Sequence, residues 1–441
     1  MKKAHASPEA SDNLLTYLVK TWNWFWFTPS DPTTLGLIRI CAGLLVMYIH
    51  FAYTPDLQEF FGANAWVDTE TADELRYRRP ALKVADSFQT EDPLPPPTDA
   101  EEIEYIKRYY EIWRVDPRYT YAQGQPLWSV WFHVTDPSWM RAIHFGFLGI
   151  MFLFTIGFCT RITSVMTWLA ALSYIQRSPV TLFGVDTMMN LSLIYLMIGP
   201  SGAALSVDRL ARRYWLTWRA LRRGQPAPDL SAPDPSVSAN VALRLLQINF
   251  CLIYLGAGLS KLLGGSWWNG TALWMIVANY AFTPLHHQWY HDALAFLCRH
   301  RWLWEIVIGG GVVYTLFLEI GFPFLVWHPR LRNLMVGCAV LLHTGIGALM
   351  GLKTFSLFMI TMVFSFVPGE SVRRILSGIG DRLPTREYRF EGKDRHALRK
   401  AALVHALDVF NRVTLIDSAA DQPPSPAVIP PARPAVQRTS A

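Results

Sequence analysis

Apolar residues in this chain fall into blocks of about 18 or more, separated by polar stretches, the length that a bilayer core requires of a helix. The blocks predict spans at about 34–53, 141–159, 163–183, 187–205, 241–263, 303–327, 333–350 and 355–367, with a short apolar segment at 271–282. The expected fold is therefore all-α, a polytopic transmembrane helical bundle of about eight spans. A polar stretch at 54–137 follows span one as an insertion. It contains a Pro-rich run, Glu91-Asp-Pro-Leu-Pro-Pro-Pro-Thr, and a charged helical segment around 99–113. A leader over 1–30 carries Trp22, Trp24, Phe25, Trp26 and Phe27, which suits an interfacial belt. The transmembrane domain is expected over 31–370 and a tail over 371–441, whose last part from about 418 is rich in Pro, Ala and Ser and reads as disordered.

Composition agrees. The chain has 441 residues, is 51% hydrophobic and contains 18 Trp, while charged residues make up 17%. Soluble domains carry roughly 25% charge. Five scattered cysteines without a C-x-x-C pair suggest neither a disulfide framework nor a zinc site, and no metal is expected. The net charge of +6 is mostly loop arginine, which reads as topology rather than nucleic-acid binding. Arg209, Arg212, Arg213, Arg219, Arg222 and Arg223 place the connection 206–240 in the cytoplasm. Alternating outward puts both termini inside and the 54–137 insertion and the 264–302 connection outside. In a bacterial cell this is a multi-pass protein of the inner membrane.

Polar residues inside the spans carry the candidate chemistry. Lys261 lies near the outer end of span five, in Tyr254-Leu-Gly-Ala-Gly-Leu-Ser-Lys. A lysine there either snorkels to headgroups beside Trp267 and Trp268 or has a partner and a task. Arg177, Asp186, Asn190 and His343 fall at a similar depth on three other spans, so they predict one outward-facing cavity if those spans pack together. Each has a plainer alternative: Arg177 with Asp186 as a structural ion pair, His343 as a hydrogen-bonded interior histidine, Trp268 as an interface anchor. Arg39 reads as a structural cap or ion-pair partner, and Glu319 falls in the inner half of span six.

Four stretches resemble one family. They are Asp31-Pro-Thr-Thr-Leu-Gly-Leu-Ile-Arg-Ile with Gly43; Arg177-Ser-Pro-Val-Thr-Leu-Phe-Gly-Val-Asp-Thr; Tyr254-Leu-Gly-Ala-Gly-Leu-Ser-Lys-Leu with Trp268-Asn-Gly-Thr-Ala-Leu; and His343 followed by Gly351-Leu-Lys-Thr-Phe-Ser-Leu-Phe. In this order, over roughly residues 20–370, the chain resembles the membrane region of vitamin K-dependent gamma-carboxylases and their bacterial relatives, the horizontally transferred transmembrane (HTTM) domain proteins. The resemblance implies a membrane enzyme that uses a reduced quinone such as vitamin K hydroquinone or menaquinol, together with oxygen and carbon dioxide, with Lys261 as the base. It places His343 at a family histidine position and leaves Arg177, Asp186, Asn190 and Trp268 to shape the site. The carboxylases have a histidine near the start of the second stretch, where this chain has Arg177. Quinol epoxidation or carboxylase-like chemistry is one expectation; a non-enzymatic membrane protein that binds lipid or quinone, or serves a membrane complex, is the other. No inverted-repeat pair of interrupted spans argues for a transporter.

Overall fold

The apolar blocks form long helices. The computed structural model describes residues 13–76, 99–113, 127–178, 182–280, 284, 287–380, 382, 384–392, 394–410 and 412–418. The Pro-rich run of the insertion, Pro179 and the tail beyond 418 lie outside the described residues. The chain divides into two units, one of Met1–Asp208 with Asp234–Val372, the other of Arg209–Pro233 with Arg373–Ala441.

The first unit opens with α1 (Leu14–Phe27) and α2 (Thr33–Ala52). Asp31 starts α2 by accepting the Thr33 N–H and hydroxyl at Oδ1. The buried side of α2 runs Leu35, Ile38, Arg39, Ala42, Val46 and His50, a three-and-four spacing that points one stripe into the bundle. Among the described residues α3 (Leu57–Phe61), α4 (Thr69–Arg76) and α5 (Ala100–Trp113) follow, the last over the charged segment. Then come α6 (Pro137–Ile156), α7 (Thr160–Arg177) and α8 (Gly184–Ile198). Asp136 caps α6, with Pro137 at its first position. Gly157 ends α6 in the left-handed region at φ +73°, where a Cβ would lie 2.8 Å from the Arg39 guanidinium carbon.

After α9 (Val207–Arg222) come α10 (Val237–Lys261), α11 (Ala272–Val277), α12 (Gln288–Arg299), α13 (Arg301–Leu325), α14 (Arg332–Leu349), α15 (Lys353–Phe366) and α16 (Gly369–Gly380). Glu305–Gly309 of α13 is wound as a π-helix just before the Gly-Gly-Gly run. The core joins Leu35, Ile38 and Val46 of α2 to Met151 of α6, Leu193 of α8, Phe250 and Tyr254 of α10, Phe322 of α13 and Met359 of α15.

Among the described residues, five helices are long and apolar enough to cross a membrane: α2, α6, α10, α13 and α14. A sixth crossing results if α15 and α16, bent by 103° at their junction, count together. This is a multi-pass membrane protein. The sequence predicts eight crossings, and the two extra ones are α7 and α8. Helix α7 spends much of its length on Thr160, Thr163, Ser164, Thr167 and Ser173, all buried, so its mean hydropathy is modest. Helix α8 has 15 residues, or about 22 Å at 1.5 Å each, against a hydrocarbon core of about 30 Å.

The second unit departs from an all-α chain. Strands β1 (Arg386–Phe390) and β2 (Val413–Asp417) pair in parallel, Arg386 opposite Val413 and Phe390 opposite Asp417. Helix α17 (Arg395–Leu407) supplies the crossover that a parallel pair requires. Leu398, Ala401 and Ala402 of α17 pack with Phe390 and with Leu221, Tyr214 and Trp218 of α9. The segment after α16 is thus partly folded. The strand signal was weak because five-residue strands give too few alternations to separate from loop.

Candidate functional site

Lys261 closes α10 beside the carboxylate of Glu319. Its Nζ donates to Oε1 at 2.9 Å and lies 2.8 Å from Oε2. Gly258, one turn earlier, makes this pairing possible. A Cβ there would sit 2.7 Å from Ile320 Cγ1 and 3.2 Å from Glu319 Cβ, so only glycine lets α13 approach closely enough to deliver the carboxylate. The Nζ also lies 5.4 Å from the Trp267 ring centroid, within cation–π range. The Lys261 side chain keeps 25% of its surface exposed and Glu319 keeps 9%.

Two turns before Lys261, Tyr254 reaches the histidine of α14. Its hydroxyl and His343 Nε2 are 2.9 Å apart, and both residues are buried. His343 Nδ1 is buried without a hydrogen-bond partner among the described residues. An unmet buried imidazole nitrogen costs stability and is a ready contact for a hydroxyl-bearing ligand. Lys261, Glu319, Tyr254 and His343, drawn from α10, α13 and α14, thus form one polar cluster within an aromatic and aliphatic core.

Depth counting along the sequence puts Lys261 near the outer end of its span and Glu319 in the inner half of the next. The structure corrects this. Helix α13 begins at Arg301 and passes α10 with Phe322 against Phe250 and Tyr254, ring centroids 5.2 and 5.0 Å apart, which sets Glu319 level with Lys261. Glu319 is the member that sequence reasoning left out. Its signal was there, since a lysine inside a bundle demands a counter-charge and the spans offer few carboxylates.

The other candidate residues sit elsewhere. Arg177 is 1% exposed and donates from Nη1 to the Val67 carbonyl at 2.8 Å and from Nη2 to the Gly62 carbonyl at 2.7 Å. It clamps the loop between α3 and α4. Asp186 reaches back within its own helix, accepting the Phe183 N–H at 2.8 Å to cap α8. Asn190 accepts the indole N–H of Trp168 at 2.6 Å. Trp268 is 73% exposed and donates to the Leu262 carbonyl at 2.6 Å. Only Trp268 lies next to Lys261 in the chain. Phe355 lies against both groups, its ring centroid 6.0 Å from His343 and 6.1 Å from Phe183.

Asp186 instead lines a cleft with His50, Tyr53, Phe61 and Tyr174. His50 Nδ1 meets the Val46 carbonyl at 2.7 Å, and its ring stands edge-on to Tyr174 with centroids 4.6 Å apart. His144 bridges the Tyr174 hydroxyl at 2.7 Å and Thr54 Oγ1 at 3.0 Å. Neither histidine stood out in the sequence, since each sits on an apolar face with no partner at helical spacing. The cleft measures about 10 Å³, enough for a water and far too small for a ring. Arg39 clamps the loop between α8 and α9, donating from Nη1 to the carbonyls of Ser201 and Ala204 and from Nη2 to that of Leu205. No known protein family, curated protein or solved structure matches the chain.

Proposed function

We propose that this chain is an inner-membrane enzyme acting on a reduced membrane quinone, with Lys261 as the base and both termini in the cytoplasm. The observation that carries the reading is the Lys261–Glu319 pair, 2.8–2.9 Å apart and next to the Tyr254–His343 hydrogen bond. The resemblance to the gamma-carboxylase and HTTM membrane region supplies the substrate class. The donor set suits a quinol hydroxyl, with one amine, one phenol and a buried imidazole nitrogen that has no hydrogen-bond partner among the described residues.

The pair itself offers a route to a base. One proton passing along the 2.9 Å hydrogen bond from Nζ to Oε1 turns ammonium and carboxylate into amine and carboxylic acid, with no change in net charge. A low-dielectric surrounding favours the uncharged arrangement. The free amine then takes the proton of a quinol hydroxyl held within hydrogen-bond reach. His343 Nδ1 orients that hydroxyl, and Tyr254 fixes the imidazole from its other side. Oxygen, the co-reactant of the family chemistry, carries the oxidation. In this reading α7 and α8 complete eight crossings.

The test compares Lys261→Ala and Lys261→Arg with wild type in membranes supplied with reduced menaquinone or vitamin K, following epoxide by mass spectrometry. Epoxide at wild-type levels from Lys261→Ala removes the role. Reporter fusions should place Glu102 outside and Arg219 inside. A second reading is favoured by the same ion pair, which also satisfies both partners as a purely structural link. That reading makes the chain a non-enzymatic binder of lipid or quinone, or a partner in a membrane complex, and it predicts no turnover from any variant or from wild type.

A further inference from the structure

The arginines in and just after α9 include two distinct sets. Arg213 is buried, donating to the carbonyls of His405 at 3.0 Å and Asp408 at 2.8 Å, and Arg209 donates to those of Leu230 at 2.7 Å and Ala232 at 2.9 Å. These two hold the second unit together. Arg219, Arg222 and Arg223 are exposed, and with Trp215 and Trp218 they line a groove of about 360 Å³. Arg213, Thr217 and Leu221 form the inward stripe of α9, and Trp215, Arg219 and Arg222 the outward one.

The groove has the chemistry of an anionic headgroup site. The Arg219 guanidinium carbon lies 5.1 Å from the Trp215 ring centroid, and that of Arg222 5.5 Å from Trp218. Stacking on indole holds each guanidinium plane while its edge stays available to phosphate oxygens. Tryptophan beside arginine is also the pairing that lies well at a membrane–water interface. The connection 223–236 links α9 covalently to α10, one of the long apolar helices, so the groove belongs to a chain held at a bilayer. We propose that this groove binds the phosphate headgroup of an anionic phospholipid from the bilayer that the chain crosses. The charge argues against a neutral lipid, and the tether favours a lipid over a soluble anion.

The experiment uses the full chain purified in neutral detergent, titrated with phosphatidylglycerol or phosphatidylcholine and read by native mass spectrometry. Wild type should retain phosphatidylglycerol in preference. The triple variant Arg219→Gln, Arg222→Gln, Arg223→Gln should bind its tightest phosphatidylglycerol about a hundredfold more weakly, roughly fivefold per arginine. Trp215→Ala should weaken it too, with all charges kept. Equal retention by wild type and the triple variant overturns the site. Release of the lipid by inorganic phosphate at low millimolar concentration overturns the lipid assignment in favour of a soluble anion. If the triple variant does not fold, Arg223→Gln alone, just beyond the end of α9, carries the test with a fivefold loss expected and no loss overturning it.

Discussion

Arg39 and Lys261 are both cations inside the same bundle, and they are met in opposite ways. Arg39 is fully buried and gives its guanidinium to three main-chain carbonyls, those of Ser201, Ala204 and Leu205. Arg177, 1% exposed, does the same with Gly62 and Val67. Carbonyl oxygens accept hydrogen bonds without taking a proton, and a guanidinium does not give one up. Lys261 meets a carboxylate and keeps a quarter of its side chain open. There both partners can exchange a proton. The arginine clamps fix loops between helices; the lysine pair is where a proton can change hands.

The largest effect is expected at the clamp. Arg39→Ala leaves several buried carbonyls unmet and a hole beside Gly157, a loss of about 3–5 kcal/mol. Arg39→Lys should recover little of it, because an ammonium on a flexible stem cannot span the same carbonyls as a planar fork. Thermal unfolding in detergent measures both. An Arg39→Lys protein that melts with wild type would reduce the clamp to simple charge.

The lysine pair comes next. Lys261→Met alone strands Glu319, which is 7% exposed as a residue, and should cost about 2–3 kcal/mol, less than a fully buried pair because Lys261 reaches solvent. Adding Glu319→Leu should restore most of that loss, since a matched apolar pair carries no stranded charge. Glu319→Gln sharpens the contrast further. The amide still accepts a hydrogen bond from Nζ but cannot take its proton, so the protein should fold and lose quinol turnover. A double variant no more stable than Lys261→Met, or full turnover by Glu319→Gln, would erase the distinction between the two kinds of cation.

Gly258→Ala tests the approach that creates the pair. The new methyl would meet Ile320 at 2.7 Å and push α13 away, costing about 1–2 kcal/mol and lengthening the Lys261–Glu319 contact. Gly256, with nothing within 4 Å, is the control, and Gly256→Ala should be tolerated. Equal effects at the two glycines would mean that helix propensity, not close approach, sets their cost.

These positions also show what was legible in the sequence. Block length located every long helix, and Asp31 and Asp136 marked two helix starts. Lys261 and His343 stood out because polar groups in apolar runs are rare. Depth failed for Glu319 because counting inward from a block's edge assumes that neighbouring helices start level, and α13 does not start level with the end of α10. Arg177 and Asp186 stand out for the same rarity as Lys261, yet they serve two loop carbonyls and a helix cap that no periodicity announces. The parallel β1–β2 pair was hidden because its strands are far apart in sequence and joined only through α17.

Arg213 carries the comparison outside the membrane helices. It too is a buried guanidinium serving carbonyls, here at the C-terminal end of α17, where a cation also suits the helix dipole. Beside it His405 Nδ1 lies 3.0 Å from Thr217 Oγ1. Burial first, and the Arg213 charge second, lower the affinity of His405 for a proton, while Asp408 and Asp229 work the other way. The folded unit therefore binds fewer protons at His405 than the unfolded chain, and stability rises with pH through this range. The contribution is complete above the ordinary histidine value of 6.5 and is lost as pH falls below it toward the folded value. Hydrogen exchange at the β1 and β2 amides should accelerate between pH 7 and about 5.5, apart from the intrinsic pH dependence of exchange. His405→Gln should flatten that response while leaving Lys261-dependent turnover as it was. The effect is the smallest of the set because His405 is only half buried and solvent screens its neighbours. Its sign is the informative part: protection that grows on acidification would mean that a neighbouring carboxylate, not the Arg213 clamp, governs this corner.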